Sequence, residues 1–174
     1  MNGSIILDYS ELNSRATAHK MLGQKVVCTI GSWDMLHIGH LRYLNRAKSK
    51  GDILIVGVDS DRGIKLYKNP LRPVIPQAER MEMLSYQECV DYITLVDDID
   101  EQGRWGFSLI KEVPVDLFVA VAGESYTSAQ KRTIKQHTGR LVVLPRQATH
   151  TSTTNIVQEI VKGHLLAAVN KLKF

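Results

Sequence analysis

Short apolar runs alternate with longer mixed segments along most of this chain. Five runs are rich in β-branched and aliphatic residues, and each is followed by a polar, helix-compatible stretch; they are Lys25–Gly31, Ile53–Val58, Tyr92–Val96, Leu117–Val121 and Leu141–Leu144. Continuous apolar runs of this length are typical of strands that are buried on both faces, as in a parallel sheet. We therefore predict five parallel strands.

The segments between these runs carry helical signals. Asp8, with Glu11 three positions on, opens a first helix that Gly23 closes, and further helices are predicted at Leu41–Ser49, Gln77–Tyr86, Gln102–Glu112, Ser128–His137 and from Thr154 onward. Strands joined by crossover helices predict an α/β, Rossmann-like fold: an open, doubly wound parallel five-stranded sheet with helices on both faces. Ligands of such folds bind beyond the carboxyl ends of the strands.

Size and composition narrow the class of protein. The 174 residues, 44% of them apolar, suit a single domain over 1–174, with a helical extension at 1–23 and a C-terminal helix at 154–170. The apolar positions of that helix could serve a core or a homodimer. A net charge of +4 suits a small anionic ligand and is too dispersed to indicate nucleic acid.

The sequence also indicates a compartment. Cys28 and Cys89 lack the spacing of a metal or redox motif, as expected of core thiols under reducing conditions. Neither a signal peptide nor an apolar run long enough to span a bilayer is evident. We expect a cytoplasmic protein that does not bind membranes.

The most informative segment is Gly31-Ser-Trp-Asp-Met-Leu-His-Ile-Gly-His40, which joins a predicted strand to a predicted helix. His37 and His40 lie three residues apart, so both imidazoles project from one face at the start of that helix. Unpaired backbone N–H groups and the helix dipole make this place suited to phosphate. Considered alone, the two histidines could also be metal ligands or ordinary surface residues. A metal site would need a third ligand with suitable spacing, and none is evident in the sequence.

This segment resembles the H-x-G-H signature of the cytidylyltransferase-like nucleotidyltransferases, which reads approximately Gly-Thr-Phe-Asp-x-Leu-His-x-Gly-His. The chain keeps Gly31, Asp34, His37 and His40 of that pattern and has Ser32-Trp33 in place of Thr-Phe. The same tetrapeptide occurs in class I aminoacyl-tRNA synthetases, but those enzymes need a second lysine-rich loop and far more chain. The resemblance implies that the histidines are catalytic and that Gly31, Ser32, Trp33 and Asp34 form part of the nucleotide site. Within it, we expect Asp34 to orient the turn and not to act as a base.

A second basic segment runs from Lys65 to Arg80 and contains three prolines. A solvated loop would explain its charges. However, the residues from Arg72 to Leu84 resemble the corresponding stretch of the ADP-heptose synthase adenylyltransferase domain. That resemblance implies that Lys65 and Lys68 hold acceptor phosphate or triphosphate and that Arg80 contacts nucleotide phosphates.

A third motif, Ser152-Thr153-Thr154, precedes the last predicted helix. Helix capping explains such hydroxyl residues, but the run also resembles the Ser-Thr-Thr motif that closes over the triphosphate in these transferases. Upstream, Leu144-Pro145-Arg146 resembles the Leu-Pro-Arg of glycerol-3-phosphate cytidylyltransferase, with one extra residue before the Ser-Thr-Thr run. This likeness implies that Arg146 binds nucleotide phosphates.

One departure from the family pattern stands out. Where the heptose relatives read Val-Lys-Gly-Gly-Asp-Tyr, this chain keeps Gly123, implied to contact nucleotide, but has Ala122 for the Lys and Ser125 for the Asp. The loss of that lysine argues against a heptose substrate, and it also leaves open a non-catalytic nucleotide-binding module. A metal-binding regulatory domain using His37, His40 and His150 is a further alternative.

Together these motifs predict a nucleotidyltransferase that moves an NMP unit from an NTP to a phosphorylated or phosphonylated small molecule and releases pyrophosphate with Mg²⁺. Arg146 and its context favour CTP slightly, whereas the Arg72–Leu84 block and the residues from Thr153 to Ile156 favour the ATP-using heptose branch. An ADP-heptose-type adenylyltransferase is therefore the alternative enzyme.

Overall fold

The computed structural model describes the backbone of residues 3–123 and 126–171 and the side chains up to 165. Within these ranges the strands are β1 (Ser4–Ile5), β2 (Val26–Gly31), β3 (Ile53–Asp59), β4 (Tyr92–Val96), β5 (Leu117–Val121) and β6 (Arg140–Leu144). The helices are α1 (Tyr9–Met21), α2 (Ile38–Lys48), α3 (Asp61–Tyr67), α4 (Gln77–Ser85), α5 (Ser108–Glu112), α6 (Ser128–His137) and α7 (Thr153–Lys171).

All strands pair in parallel, in the order β1-β4-β3-β2-β5-β6. The buried residues of α1, α5 and α6 pack on one face of the sheet, and those of α2 and α4 pack on the other. This arrangement confirms the predicted α/β, doubly wound fold. The chain runs outward from β2 through β3 and β4, then returns to pair β5 with the other side of β2. The order of the strands therefore reverses between β2 and β5.

The sheet has six described strands rather than the predicted five. β1 is only two residues long, both exposed, and pairs with Tyr92 and Ile93 at the edge of the sheet. A strand this short has too few positions to show an alternating or continuous apolar pattern.

The structure also differs from the prediction in two segments, one predicted as a helix and one predicted as a loop. The helix predicted at Gln102–Glu112 begins only at Ser108, because the Asp100 carboxylate accepts hydrogen bonds from the N–H groups of Gln102 and Arg104 and closes a turn there. Conversely, α3 occupies the first part of the segment predicted as a basic loop, with the Ser60 hydroxyl accepting from the Gly63 N–H as its N-cap.

Candidate active site

A cavity of about 660 Å³ opens at the carboxyl ends of β2 and β5, where the strand order reverses. Its volume falls within the range of small-molecule sites. Ten of the predicted site residues line it: Gly31, Ser32, Trp33, His37, His40, Lys68, Arg146, Ser152, Thr153 and Thr154. Asp34, Lys65, Arg80 and Gly123 are not part of the lining. The three separated motifs therefore meet in one place.

The turn after β2 is held in a demanding conformation. Trp33 and Met35 both have a φ of 52°, in the left-handed region that non-glycine residues seldom adopt. Trp33 is buried, and its indole N–H donates to the Gly57 carbonyl at 2.9 Å. A Cβ on Gly31 would come within 3.2 Å of the indole ring. Packing of the indole thus offsets the backbone cost and fixes the direction in which the chain enters α2.

His37 is the N-cap of α2, which begins three residues earlier than predicted. Its Nδ1 accepts a hydrogen bond from the Gly39 N–H at 3.1 Å, so Nδ1 carries no proton and the hydrogen of the neutral ring is on Nε2. Burial lowers the pKa of His37, which favours this neutral form. The imidazole therefore has one N–H donor.

His40 stacks on His37 with ring centroids 3.8 Å apart and an interplanar angle of 22°. Its ring also makes an edge-to-face contact with the Trp33 indole, with centroids 5.5 Å apart. Burial, followed by the proximity of His37 and Lys68, lowers the pKa of His40 to about 4. Its Nδ1 is buried without a hydrogen-bond partner. A buried polar atom without a partner is rare in folded proteins, and His40 is one of the residues that line the cavity.

Gly39 permits the stacked pair to form. A Cβ at this position would lie 2.9 Å from Cε1 of His37 and 3.1 Å from Cβ of Ala148. Any larger residue would push either the imidazole or the 146–155 segment out of place. The glycine of the H-x-G-H motif is thus required by a close approach between the histidine turn and the loop that contains Ala148.

Asp34 is buried and turned away from the cavity. Its carboxylate accepts hydrogen bonds from the N–H groups of Val74 and Ile75 and pairs with the Arg72 guanidinium at 2.9 Å. Burial alone would raise its pKa, but these donors hold the pKa below the ordinary value. Asp34 therefore anchors the proline-rich segment to the turn, as a positioning group rather than a base.

The two predicted lysines lie at different places relative to α3. Lys68 follows the last residue of the helix, and its ammonium donates to the Ser32 hydroxyl at 2.8 Å, at the edge of the cavity. Lys65 lies within α3, exposed and outside the lining. The structure therefore brings only Lys68 to the cavity.

Arg80 lies in the interior instead of facing the cavity. The whole residue is 0% exposed, and its guanidinium is engaged by backbone carbonyls and by Asp61. In this conformation it cannot also reach a phosphate in the cavity. The resemblance that assigned Arg80 to nucleotide phosphates is not matched by its placement.

The loop after β6 forms another part of the cavity wall. Arg146 lines the cavity and lies 3.8 Å from where a Cβ on Gly123 would be. Gly123 itself has a φ of +88°, a conformation suited to glycine, and stands behind Arg146. Ala122 is exposed beside it, whereas the predicted departure at Ser125 lies outside the described residues.

The Ser-Thr-Thr run caps a helix and also lies on the wall of the cavity. The Ser152 hydroxyl accepts from the Asn155 N–H at 3.1 Å, as a cap does, while Thr153 donates to the Asp34 carbonyl at 2.8 Å. All three hydroxyl residues nevertheless line the cavity. The first turn of α7 therefore presents hydroxyl groups and backbone N–H groups to this space.

Sequence reasoning missed several other lining residues, namely Tyr43, Gln147, Thr149, Thr151 and Asn155. Gln147 is held by Arg46, which donates to its side-chain oxygen at 3.2 Å. Polarity alone did not distinguish these residues from ordinary loop positions. The spacing between Arg146 and the Ser-Thr-Thr run was the one available signal, because a loop between two site motifs must follow the cavity wall.

The metal-binding alternative finds no support in the described residues. No three His, Cys, Asp or Glu side chains among them lie close enough together to share a metal ion. His150 is exposed and outside the cavity lining. No helix in the described ranges is long and apolar enough to cross a bilayer.

Comparison with known sequences agrees with this geometry. The sequence model of the Cytidylyltransferase-like family matches residues 28–163, which include all three motifs. The bifunctional protein HldE of Geobacter metallireducens is 34% identical over 156 residues, covering 84% of this chain and 29% of HldE. HldE of Hydrogenovibrio crunogenus is 44% identical over 91 residues, covering 52% of this chain and 19% of that protein.

Solved structures give the same result. A lipopolysaccharide core biosynthesis protein from Thermoplasma volcanium superposes with a TM-score of 0.58 at 25% identity, over 74% of this chain and 100% of that one. Pantoate-beta-alanine ligase from Francisella tularensis superposes with a TM-score of 0.57 at 15% identity, over 84% of this chain and 68% of the ligase, which is likeness of fold alone. The chain spans less than a third of the length of the HldE relatives.

Proposed function

The chain belongs to the cytidylyltransferase-like family of nucleotidyltransferases, and from this premise we propose that it moves an NMP unit from an NTP to a phosphorylated or phosphonylated small molecule and releases pyrophosphate. One observation carries the proposal. Two stacked imidazoles, a lysine, an arginine and three adjacent hydroxyl residues converge on one cavity at the strand-order reversal. Such a set of donors and cations suits a polyphosphate.

The reaction needs no nucleophile from the protein. An anionic oxygen of the acceptor attacks the α-phosphorus, a new P–O bond forms, and the bond to the departing pyrophosphate breaks with its electrons. Negative charge accumulates on the equatorial and leaving oxygens, so catalysis consists of positioning and electrostatic stabilisation. His37 contributes its Nε2–H as a donor, because its Nδ1 already accepts from the Gly39 N–H. His40 contributes its imidazole, which stacks on the His37 ring.

The remaining residues hold the triphosphate and the acceptor. The hydroxyl groups of Ser152 and Thr154 and the backbone N–H groups of the first turn of α7 receive the β- and γ-phosphates, while the Thr153 hydroxyl, which donates to the Asp34 carbonyl, holds that turn in place. Lys68 supplies a mobile positive charge beside Ser32. No carboxylate is found among the described lining residues, so magnesium enters as part of the substrate, held by the oxygens of Mg–NTP.

The nucleotide base is the finer part of this proposal. CTP is placed first because Arg146, the residue of the Leu-Pro-Arg resemblance, lines the cavity. Of the residues that favoured ATP, Arg72 and Arg80 contact Asp34 and Ser32 outside the lining, whereas Thr153, Thr154 and Asn155 line the cavity as Arg146 does. ATP remains the alternative because the similarity to HldE covers 84% of the chain.

The acceptor is proposed as a class, a small molecule bearing a phosphate or phosphonate. The likeness to a lipopolysaccharide core biosynthesis protein supports a sugar phosphate as a first member of that class. Ala122, where the heptose relatives have lysine, is exposed and removes one cation from this region. We therefore propose an acceptor other than the heptose phosphate of those relatives.

The test is pyrophosphate release with Mg²⁺ and each of CTP, ATP, GTP and UTP, against sugar, polyol and amino-alcohol phosphates and phosphonates. His37→Ala with His40→Ala serves as the inactive control, and omission of the acceptor as the blank. Release that requires one nucleotide and one acceptor supports the transferase; ATP alone would reverse the order of donors. Nucleotide binding without release over the whole panel would favour a non-catalytic module.

A further inference from the structure

The Arg80 guanidinium is a fully buried cation that the proposed reaction does not use directly. Its Nε donates to the Ile75 carbonyl at 2.9 Å, and Nη2 donates to the Asp59 carbonyl at 2.8 Å and to the Asp61 carboxylate at 2.7 Å. Nη1 donates to the Ser32 carbonyl. One side chain therefore has four acceptors on three separate stretches of chain.

These stretches are the ones that build one side of the cavity. Ser32 belongs to the turn between β2 and α2, Asp59 and Asp61 join β3 to α3, and Ile75 belongs to the segment anchored by Asp34. Lys68 follows the last residue of α3, seven residues after Asp61 in the sequence, and its ammonium meets the Ser32 hydroxyl at 2.8 Å. The position of Lys68 relative to Ser32 thus depends on how the start of α3 is fixed to the Ser32 turn.

We propose that Arg80 is a positioning residue, which fastens the Ser32 turn to the start of α3 so that Lys68 and Ser32 together receive a nucleotide phosphate. This inference rests on the proposed function, because it names how the same site is assembled. It replaces direct contact between Arg80 and phosphate, which the buried guanidinium does not offer.

A guanidinium suits this role better than an ammonium does. Its planar fork donates in several fixed directions at once, whereas lysine carries a single nitrogen on a flexible stem. Arg80→Lys keeps the positive charge but cannot bridge all of these acceptors. The matched control is Arg62→Lys, since Arg62 lies on α3, is exposed and pairs with Asp97 at the surface.

The experiment is a double-mutant cycle between Arg80→Lys and Lys68→Met, read as the Kd for Mg–NTP by calorimetry and as kcat/KM for pyrophosphate release. In the otherwise wild-type chain, Lys68→Met should raise Kd about tenfold; in the Arg80→Lys background it should raise Kd less than threefold, because Lys68 is already misplaced. Arg62→Lys should leave the Lys68→Met effect at about tenfold.

If the fold-changes in Kd caused by Arg80→Lys and Lys68→Met simply multiply in the double variant, the two residues act independently. That result would overturn the proposal. Wild-type kinetics and affinity in Arg80→Lys would overturn it as well. If Arg80→Lys does not fold by circular dichroism, Asp61→Ala replaces it in the cycle, since it removes one of the four acceptors and keeps the guanidinium; the same coupling with Lys68→Met is then required. Nucleotide binding with no pyrophosphate release in the wild type would refute the transferase alone, because the cycle in Kd still reports on Arg80.

Discussion

Gly39→Ala is the substitution whose effect the geometry of the site defines best. The added methyl group would lie 2.9 Å from Cε1 and 3.1 Å from Nδ1 of His37, and 3.1 Å from Cβ of Ala148. An ordinary contact begins near 3.4 Å, so the imidazole must move by about 0.5 Å or the 146–155 segment must retreat. Either movement disturbs the stacked histidines.

The expected loss is in turnover. A misplacement of about 1 Å in a catalytic group can cost about 10²-fold, so a shift of about half that should lower kcat about tenfold. Alanine gains up to about 1 kcal/mol of helix propensity over glycine, and overpacking costs about 1–3 kcal/mol, so the fold should lose at most about 3 kcal/mol. The variant should therefore remain folded at 25 °C.

The assay is steady-state pyrophosphate release, together with urea denaturation of the same preparation. Gly163→Ala is the matched control, because it places the same methyl group on α7 with no atom within 4 Å. It should keep wild-type kcat. Combining Gly39→Ala with Ala148→Gly should restore part of the loss, since the methyl group gains space on one side. A Gly39→Ala variant with wild-type kcat would refute the close-packing argument.

Three further predictions follow from the same site. His40→Ala should lower kcat by about 10²–10³-fold with a smaller effect on the nucleotide Kd, and an unchanged kcat would remove His40 from the mechanism. Because the pKa of His40 is lowered to about 4 from 6.5, the unfolded chain takes up that proton first as the pH falls. His40 should therefore contribute a drop of about 3 kcal/mol in the free energy of unfolding between pH 6.5 and pH 4, so the drop measured by urea denaturation of His40→Asn should be smaller by about that amount, with the contribution of His37 retained; equal profiles would contradict the buried neutral ring. Lys68→Met should raise the nucleotide KM about tenfold and Lys65→Met less than threefold, since only Lys68 reaches the cavity; equal effects would return Lys65 to the site.

Much of the fold could be predicted because most of its strands coincide with continuous apolar runs. β4 and β5 begin and end at the predicted residues, as does α6. The failures occur where local side-chain bonds or tertiary contacts override the pattern. Asp100 closes a turn inside a predicted helix, and α3 forms where prolines further on had indicated a loop.

The sequence motifs predict which residues come together at the cavity, but they do not predict which motif residues turn their side chains toward other chain segments instead. His37 and Ser152 line the cavity, but Arg80, from an equally recognisable motif, fills the interior. Sequence resemblance locates a residue along the chain without stating which way its side chain points. A buried arginine and a phosphate-binding arginine look the same in sequence, because both need a fork of donors.

Asp34 explains why the three motifs depend on one another. Its carboxylate holds the 72–75 segment through Val74, Ile75 and Arg72, while its carbonyl accepts from Thr153 at the start of α7. A residue that never faces the cavity thus connects the histidine turn to both of the other walls. Asp34 is buried and these bonds are part-buried, so displacing one segment deprives Asp34 of partners at a cost of up to about 1–3 kcal/mol for each. We therefore expect the 72–75 segment and the start of α7 to keep their places against the histidine turn together.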